Sequence, residues 1–393
     1  MSLNEDNPEQ LNIGTDGKED AFKNFEGRTV EPPKKSKYGW LSYVLLAVAI
    51  GLGIWAMFGI AKDMGETQSF GSVIAGSDWR FALVLLAVIL SILFCDWMKY
   101  AVIMKTTAGR CNLRTSLKVQ LLGKFYDSVT PFAVGGQPMQ IYYLHKKGFS
   151  GGISSAVVLI KYFTQMFCMC TVSLLLMAFN TGALSGIGDA KWQTTILVGA
   201  WIGIAANLFL PVMVLLFVLF PKFSHKLASL FISIGFKIRI VKDKEKAMAK
   251  AYKTVDDFRA SFKIMSHKPL NFIALIVLCI AEVLLRFALP FFVMKMFSAF
   301  GAGDGGFQTL ISVMALNVYA TQSVAIIPTP GNSGAIESTG TIAFSAFITG
   351  SVLSWSVFAW RLSVYYIYII IGLGIIVFEF IRKFVRRRRQ NRQ

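Results

Sequence analysis

Lys161 and Arg361 each stand about a third of the way into a long apolar run, and neither has an acidic residue one helical turn away on that run. Glu282 and Arg286 are four apart, which puts them on one helix face where they can neutralise each other. Lys124 and Asp127 precede a stretch rich in glycine and proline, and Glu337 closes another. Ionisable groups within apolar spans are costly to desolvate and mark pathways or ligand sites. The chemistry they offer is electrostatic, with cations to draw an anion and carboxylates to balance them. Nucleophilic, metal or cofactor chemistry is not indicated. His145, His225 and His267 are scattered, and the five cysteines lack paired ligand spacing, so no metal and no cofactor are expected. No phosphate-binding loop for ATP is present either.

Two interruptions must position these groups. The first reads Thr130-Pro131-Phe132-Ala133-Val134-Gly135-Gly136-Gln137-Pro138, the second Pro328-Thr329-Pro330-Gly331-Asn332-Ser333-Gly334-Ala335-Ile336-Glu337. Proline lacks the amide hydrogen that a helix needs, and glycine permits backbone that other residues avoid. Within hydrocarbon, such backbone survives only where protein or a wet cavity surrounds it. Interrupted segments at corresponding places in two halves point to a transporter-like binding site. Freed amides and helix N-termini there would favour an anion. Candidate ligand contacts are therefore Lys124, Asp127, Pro131, Gly135, Gly136, Gln137, Gln140, Lys161, Glu282, Arg286, Pro330, Gly331, Gly334, Glu337 and Arg361. Replacing Lys161 or Arg361 by alanine is expected to slow the passage of an anionic ligand without lowering expression.

The surrounding elements read as all-α, a polytopic membrane helical bundle. The chain is 54% hydrophobic with a mean hydropathy of +0.56, well above a soluble domain. Full spans are expected at about 39–61, 80–104, 153–180, 194–220, 270–298 and 352–381. Regions 117–147 and 307–350 read as two re-entrant hairpins, or eight spans in all if the second crosses fully. Span, hairpin, span recurs in opposite sense in the two halves, which is an inverted repeat. The net charge of +18 is no nucleic-acid signal, because its basic residues cluster beside spans. Segment 221–268 holds twelve Lys or Arg and the tail from Arg382 holds seven, whereas 181–193 has one and 299–306 none. That asymmetry predicts both termini in the cytoplasm.

Residues 1–37 read as a disordered cytoplasmic tail, 38–381 as the transmembrane domain, and 382–393 as a basic cytoplasmic tail. Within the domain, 221–268 reads as an insertion of amphipathic helices, on the membrane surface or packed on the bundle. Asp96 and Lys99 read as interfacial, the lysine reaching to headgroups. Trp40, Trp79, Trp192, Tyr365 and Tyr366 read as belt anchors, and the cysteines as buried apolar residues.

Phe125, Thr130-Pro131, Gly135-Gly136-Gln137-Pro138 and Gln140-Ile141-Tyr142-Tyr143-Leu144 resemble the first signature of the lysylphosphatidylglycerol synthase transmembrane (flippase-domain) family. The second interruption resembles its Pro-x-Pro-Gly-x-x-Gly-x-x-Glu signature, and the resemblance covers roughly 40–380. It departs at Gln137, where many members carry an acid, and near Gln140, where they carry an arginine. The resemblance implies movement of an aminoacylated phospholipid or a polyprenyl-linked or other lipid-linked sugar between leaflets of the cytoplasmic membrane. In fused relatives a soluble domain performs synthesis; the end of this chain at the Arg386–Arg389 run predicts translocation without it. The expected partner is a membrane lipid, and no nucleic acid; a homo-oligomer stays open. The rival readings are the membrane component of an aminoacyl- or glycosyl-transferase and a small-anion transporter, whose site would be closed to lipid on every side.

Overall fold

A computed structural model describes residues 70–109, 111–130, 133–237, 243–300, 305–348 and 350–375. The span expected at 39–61, both terminal tails, Trp40 and Pro131 lie outside them. Among the described residues the chain is helical throughout, with no strand. Among those residues five helices are long and apolar enough to cross a membrane, and they coincide with five of the six expected spans.

Local signals set their ends. Helix α1 (Trp79–Ala108) starts on Asp78, whose carboxylate accepts from the Arg80 amide, and stops at left-handed Gly109. The first interruption separates α2 (Leu113–Val129), capped by Asn112, from α3 (Gly136–Lys146). Helix α4 (Gly151–Phe179) is capped by Ser150 and α5 (Ala190–Leu219) by Asp189. Two helices, α6 (Pro221–Lys237) and α7 (Lys244–Ser266), occupy the basic insertion. Then α8 (Pro269–Met296) opens on its proline, where no amide is needed. The second interruption separates α9 (Phe307–Ser323) from α10 (Ala335–Phe344). Last, α11 (Gly350–Arg361) runs through a π-turn at Leu362–Tyr366 and stays helical to residue 375.

Helices α1 and α8 form the most extensive pairing, with α4 against both. Each interruption joins two helices that pack on each other, α2 with α3 and α9 with α10. Of the two readings for the insertion, packing on the bundle is what α7 does. It lies against α4 and α1, and Val255, Phe258 and Met265 are buried. Four cysteines are buried as expected, but Cys111 is exposed.

Two apolar cores lie on either side of a polar layer. One contains Leu85, Val88, Ile92, Leu176 and Phe287; the other contains Tyr100, Ile103, Ala156, Val157 and Leu275. Between them along the same helices fall Asp96 and Lys99 on α1, Lys161 and Gln165 on α4, and Glu282 on α8. Glu282 is the fourteenth of 28 residues in α8, Gln165 the fifteenth of 29 in α4, and Asp96 the eighteenth of 30 in α1. At about 1.5 Å per residue these three sit within a turn of the helix midpoints, with Lys99 and Lys161 within two. The apolar runs thus converge their few polar residues on one level.

Candidate functional site

Asp96 organises the polar layer. Its Oδ1 lies 2.8 Å from Lys99 Nζ and 3.7 Å from Lys161 Nζ, and its Oδ2 lies 3.3 Å from Lys124 Nζ and 3.7 Å from Arg286 Nη2. Four cations from four helices therefore face one carboxylate. Lys99 also donates to Gln165 Oε1 at 2.5 Å, and Gln165 Nε2 donates to Glu282 Oε2 at 2.6 Å. Glu282 in turn accepts from Arg286, the i, i+4 pair expected from sequence. Asp96 and Lys99 are both 0% exposed, so the interfacial reading of this pair fails. A lysine paired on two sides within protein has no reason to reach for headgroups.

The interruptions are built differently from a ring of free amides. Thr130 Oγ1 accepts from the Gly135 amide at 2.9 Å, and Asp127 Oδ1 accepts from the Gly136 amide at 2.9 Å. In the second interruption Glu337 Oε2 accepts from the Gly334 amide at 2.6 Å. The chain's own carboxylates thus occupy the helix N-termini that the sequence offered to a ligand, and attraction of an anion falls to side chains instead. Arg361 braces the same turn. Its Nε donates to Glu337 Oε1 at 2.7 Å, and its Nη2 lies 3.1 Å from the Gly331 carbonyl and 3.4 Å from Ser333 Oγ.

The two interruptions meet. Tyr365 Oη lies 2.9 Å from the Ser128 carbonyl, at the end of α2, and 3.1 Å from the Pro330 carbonyl. Tyr365 and Tyr366 are buried rather than set in an aromatic belt; Trp79 and Trp192 are exposed. The Tyr365 ring also fills the space in which a Cβ on Gly331 would stand. Gly331 has φ +58° and Gly334 has φ +88°, but only open space surrounds Gly334. Alanine at Gly331, or at Gly109 (φ +67°, ψ −6°), is expected to cost about 1–2 kcal/mol for the left-handed backbone, whereas Gly334, at ψ −57°, lies outside that region. Gly331→Ala adds the collision with Tyr365, so its thermal midpoint in detergent should fall clearly below that of Gly109→Ala, whose Cβ would meet nothing within 4 Å. Equal midpoints would show that the ring yields freely.

A cavity of about 390 Å³ opens beside this junction. Lys124, Lys161, Arg286 and Arg361 line it with Asp127 and Glu282, and Lys99, Asp96 and Glu337 pair with them from behind; five cations against four acids leave the site cationic by one. Gln137 also lines it, while Gln140 instead ties α3 to α2 through the Val119 carbonyl at 3.1 Å. Gly135, Gly136, Pro330, Gly331, Gly334 and Glu337 stand behind the wall and shape it. Sequence reasoning missed Gln165, Asn207, Asn317, Thr321 and Gln322, all of which line the same cavity. Their signal was polar residues inside apolar helices, which carries no charge to catch the eye. Gln120, buried with both amide atoms unpartnered, was missed for the same reason. Among the described residues no group of three His, Cys, Asp or Glu could hold a metal.

Several apolar helices around a buried polar cavity define a multi-pass helical membrane protein. The family described as "Lysylphosphatidylglycerol synthase TM region" matches residues 40–372, and the chain belongs to it. It is also similar to a protein described as "UPF0104 membrane protein" from Archaeoglobus fulgidus. The two are 26% identical over 335 residues, covering 82% of this chain and 93% of the relative. No solved structure matches the chain.

Proposed function

We propose that the protein is a flippase that moves a lipid with an anionic headgroup between leaflets of the cytoplasmic membrane. The headgroup enters the cavity between the two interruptions, which are re-entrant hairpins of an inverted repeat, and Lys124, Lys161 and Arg286 hold its phosphate. The observation that carries this reading is the cationic cavity at the level of the helix midpoints, walled by both interruptions. Asp96 holds those cations together at rest, and a phosphate would compete for them. Such preorganised charge within a low-dielectric surround is worth far more than in water.

A second cavity supports the tails remaining in lipid. It measures about 660 Å³ and is apolar, with Phe163, Phe167 and Leu175 from α4 facing Ile276, Ile280 and Leu284 from α8. These are the helices whose polar residues line the central cavity. The Gln165–Glu282 hydrogen bond joins them, so breaking it would let a headgroup pass while its tails stay in the groove. A site for small soluble anions needs no such groove, and this favours the lipid. Both termini would face the cytoplasm.

Lys161 supplies the direct test. It is 14% exposed and its ion contact to Asp96 is 3.7 Å long. Lys161→Ala should therefore keep the wild-type melting midpoint. Translocation of an anionic fluorescent lipid in liposomes should slow about tenfold, equivalent to about 1.4 kcal/mol in the barrier. An unchanged rate would remove Lys161 from the site.

A further inference from the structure

The cavity has a second, uncharged face, and we infer from it that the headgroup is a phosphodiester of a polyol or sugar rather than an ammonium-bearing one. This rests on the translocation reading above and names its substrate class. Asn207 from α5, Asn317, Thr321 and Gln322 from α9, and Asn332 from the second interruption form that face. None can be ionised. Side-chain amides and hydroxyls both donate and accept, which is the capability that hydroxyl groups require. Trp360, Tyr162 and Phe287 line the same space and offer apolar surface to the carbon skeleton of a polyol.

Asn317 gives the face its direction. Its Nδ2 donates to the Phe287 carbonyl at 3.1 Å, which fixes the side chain beside Arg286. Its Oδ1 is buried without a hydrogen-bond partner in a residue 1% exposed. A buried acceptor left unpaired is costly, and a ligand hydroxyl would satisfy it. The neighbouring amides are anchored to the protein, which leaves the Asn207 carbonyl oxygen without a protein donor among the described residues. Asn207 Nδ2 donates to Gln322 Oε1 at 2.9 Å, and Gln322 Nε2 reaches Ser173 Oγ at 3.3 Å. The face is therefore held in place before any ligand arrives.

Charge excludes the alternative. An ammonium headgroup would need a free carboxylate, and of the two acids in the wall Glu282 is bound on both oxygens and Asp127 on one. Glu282 is bound by Arg286 and Gln165, and Asp127 accepts from the Gly136 amide. The net positive charge about Lys124, Lys161 and Arg286 would repel a further cation. The phosphate then lies towards the lysines, and the hydroxyls lie towards α9.

The test uses three short-chain lipids of equal charge with the full protein in detergent. Dihexanoyl phosphatidylinositol and dihexanoyl phosphatidylglycerol carry hydroxyls beyond the phosphodiester; dihexanoyl phosphatidylethanol carries none. Calorimetric titration should show the first two binding about tenfold tighter, the worth of one or two net hydrogen bonds. Thr321→Val, nearly isosteric and without a cross-helix bond to lose, should narrow that gap while leaving phosphatidylethanol binding unchanged. Asn317→Ala should narrow it further. Equal affinity for all three lipids overturns the inference, as does tighter binding of lysylphosphatidylglycerol than of phosphatidylinositol. In that event Lys161→Ala still weakens every lipid if the anion site stands. If Lys161→Ala changes none, or no lipid binds, the translocation reading falls as well.

Discussion

Asp96→Asn should prevent recovery of a well-folded protein, or lower its melting midpoint more than any other single change in the polar layer. Asp96 and Glu282 together balance Lys99, Lys124, Lys161 and Arg286, which leaves the layer at a formal +2. The substitution raises that to +3, with no water to screen it at a position 0% exposed. Breaking a buried pair by removing one partner costs about 3–5 kcal/mol, because the remaining charge stays uncompensated. Typical domains have only about 5–15 kcal/mol of stability in total. The double variant Asp96→Asn with Lys99→Met restores +2 and should regain much of the loss. Lys99 is fully buried, and methionine is an unbranched, flexible residue suited to fill its space without a charge. Fluorescence-detected chromatography after heating reads both. A single variant that melts like the parent would show that water or lipid already screens the layer.

The positions of the described spans were legible because hydrocarbon tolerates so few compositions. Runs such as Leu270–Leu289 admit no soluble alternative, and the structure has a helix at each of the five. The interruptions were legible from the same constraint, since proline and glycine at 328–334 cannot continue a helix. Glu282 and Arg286 were legible as a pair because both stand on one helix. What was hidden was hidden by distance along the chain. Asp96 and Lys99, three apart near one end of a predicted span, look interfacial until α2, α4 and α8 bring Lys124, Lys161 and Arg286 to them. Likewise Asp127 and Glu337 look like ligands when read alone. Only the folded turns show each carboxylate accepting from an amide of its own interruption. Tyr365 was assigned to the membrane rim from its residue type, yet its hydroxyl joins carbonyls 202 positions apart along the chain, those of Ser128 and Pro330. Periodicity has no term for such a contact.

Arg361 is where folding and function are most easily confused, and the sequence alone put it with Lys161. Its guanidinium is 3% exposed and spans three partners in the second interruption, so Arg361→Met should destabilise strongly. The loss is expected near about 3–5 kcal/mol, because Glu337 is left buried and charged. Arg361→Lys should recover little, since a single ammonium cannot reproduce the fork that joins Glu337 to the Gly331 carbonyl. The informative variant pairs Arg361→Met with Glu337→Gln. Glutamine still accepts from the Gly334 amide as a capping-box residue does, while the unpaired charge is gone. Its melting midpoint should return towards wild type. If Arg361 is only a brace, translocation of an anionic lipid returns with the midpoint. If its remaining surface in the cavity also touches the headgroup, the midpoint recovers and the rate does not. The net charge of the pair is zero before and after, so the comparison isolates the guanidinium from the field around it. Failure of the double variant to melt above the single one would instead mean that the three hydrogen bonds, and not the charge pairing, hold Gly331 against Tyr365.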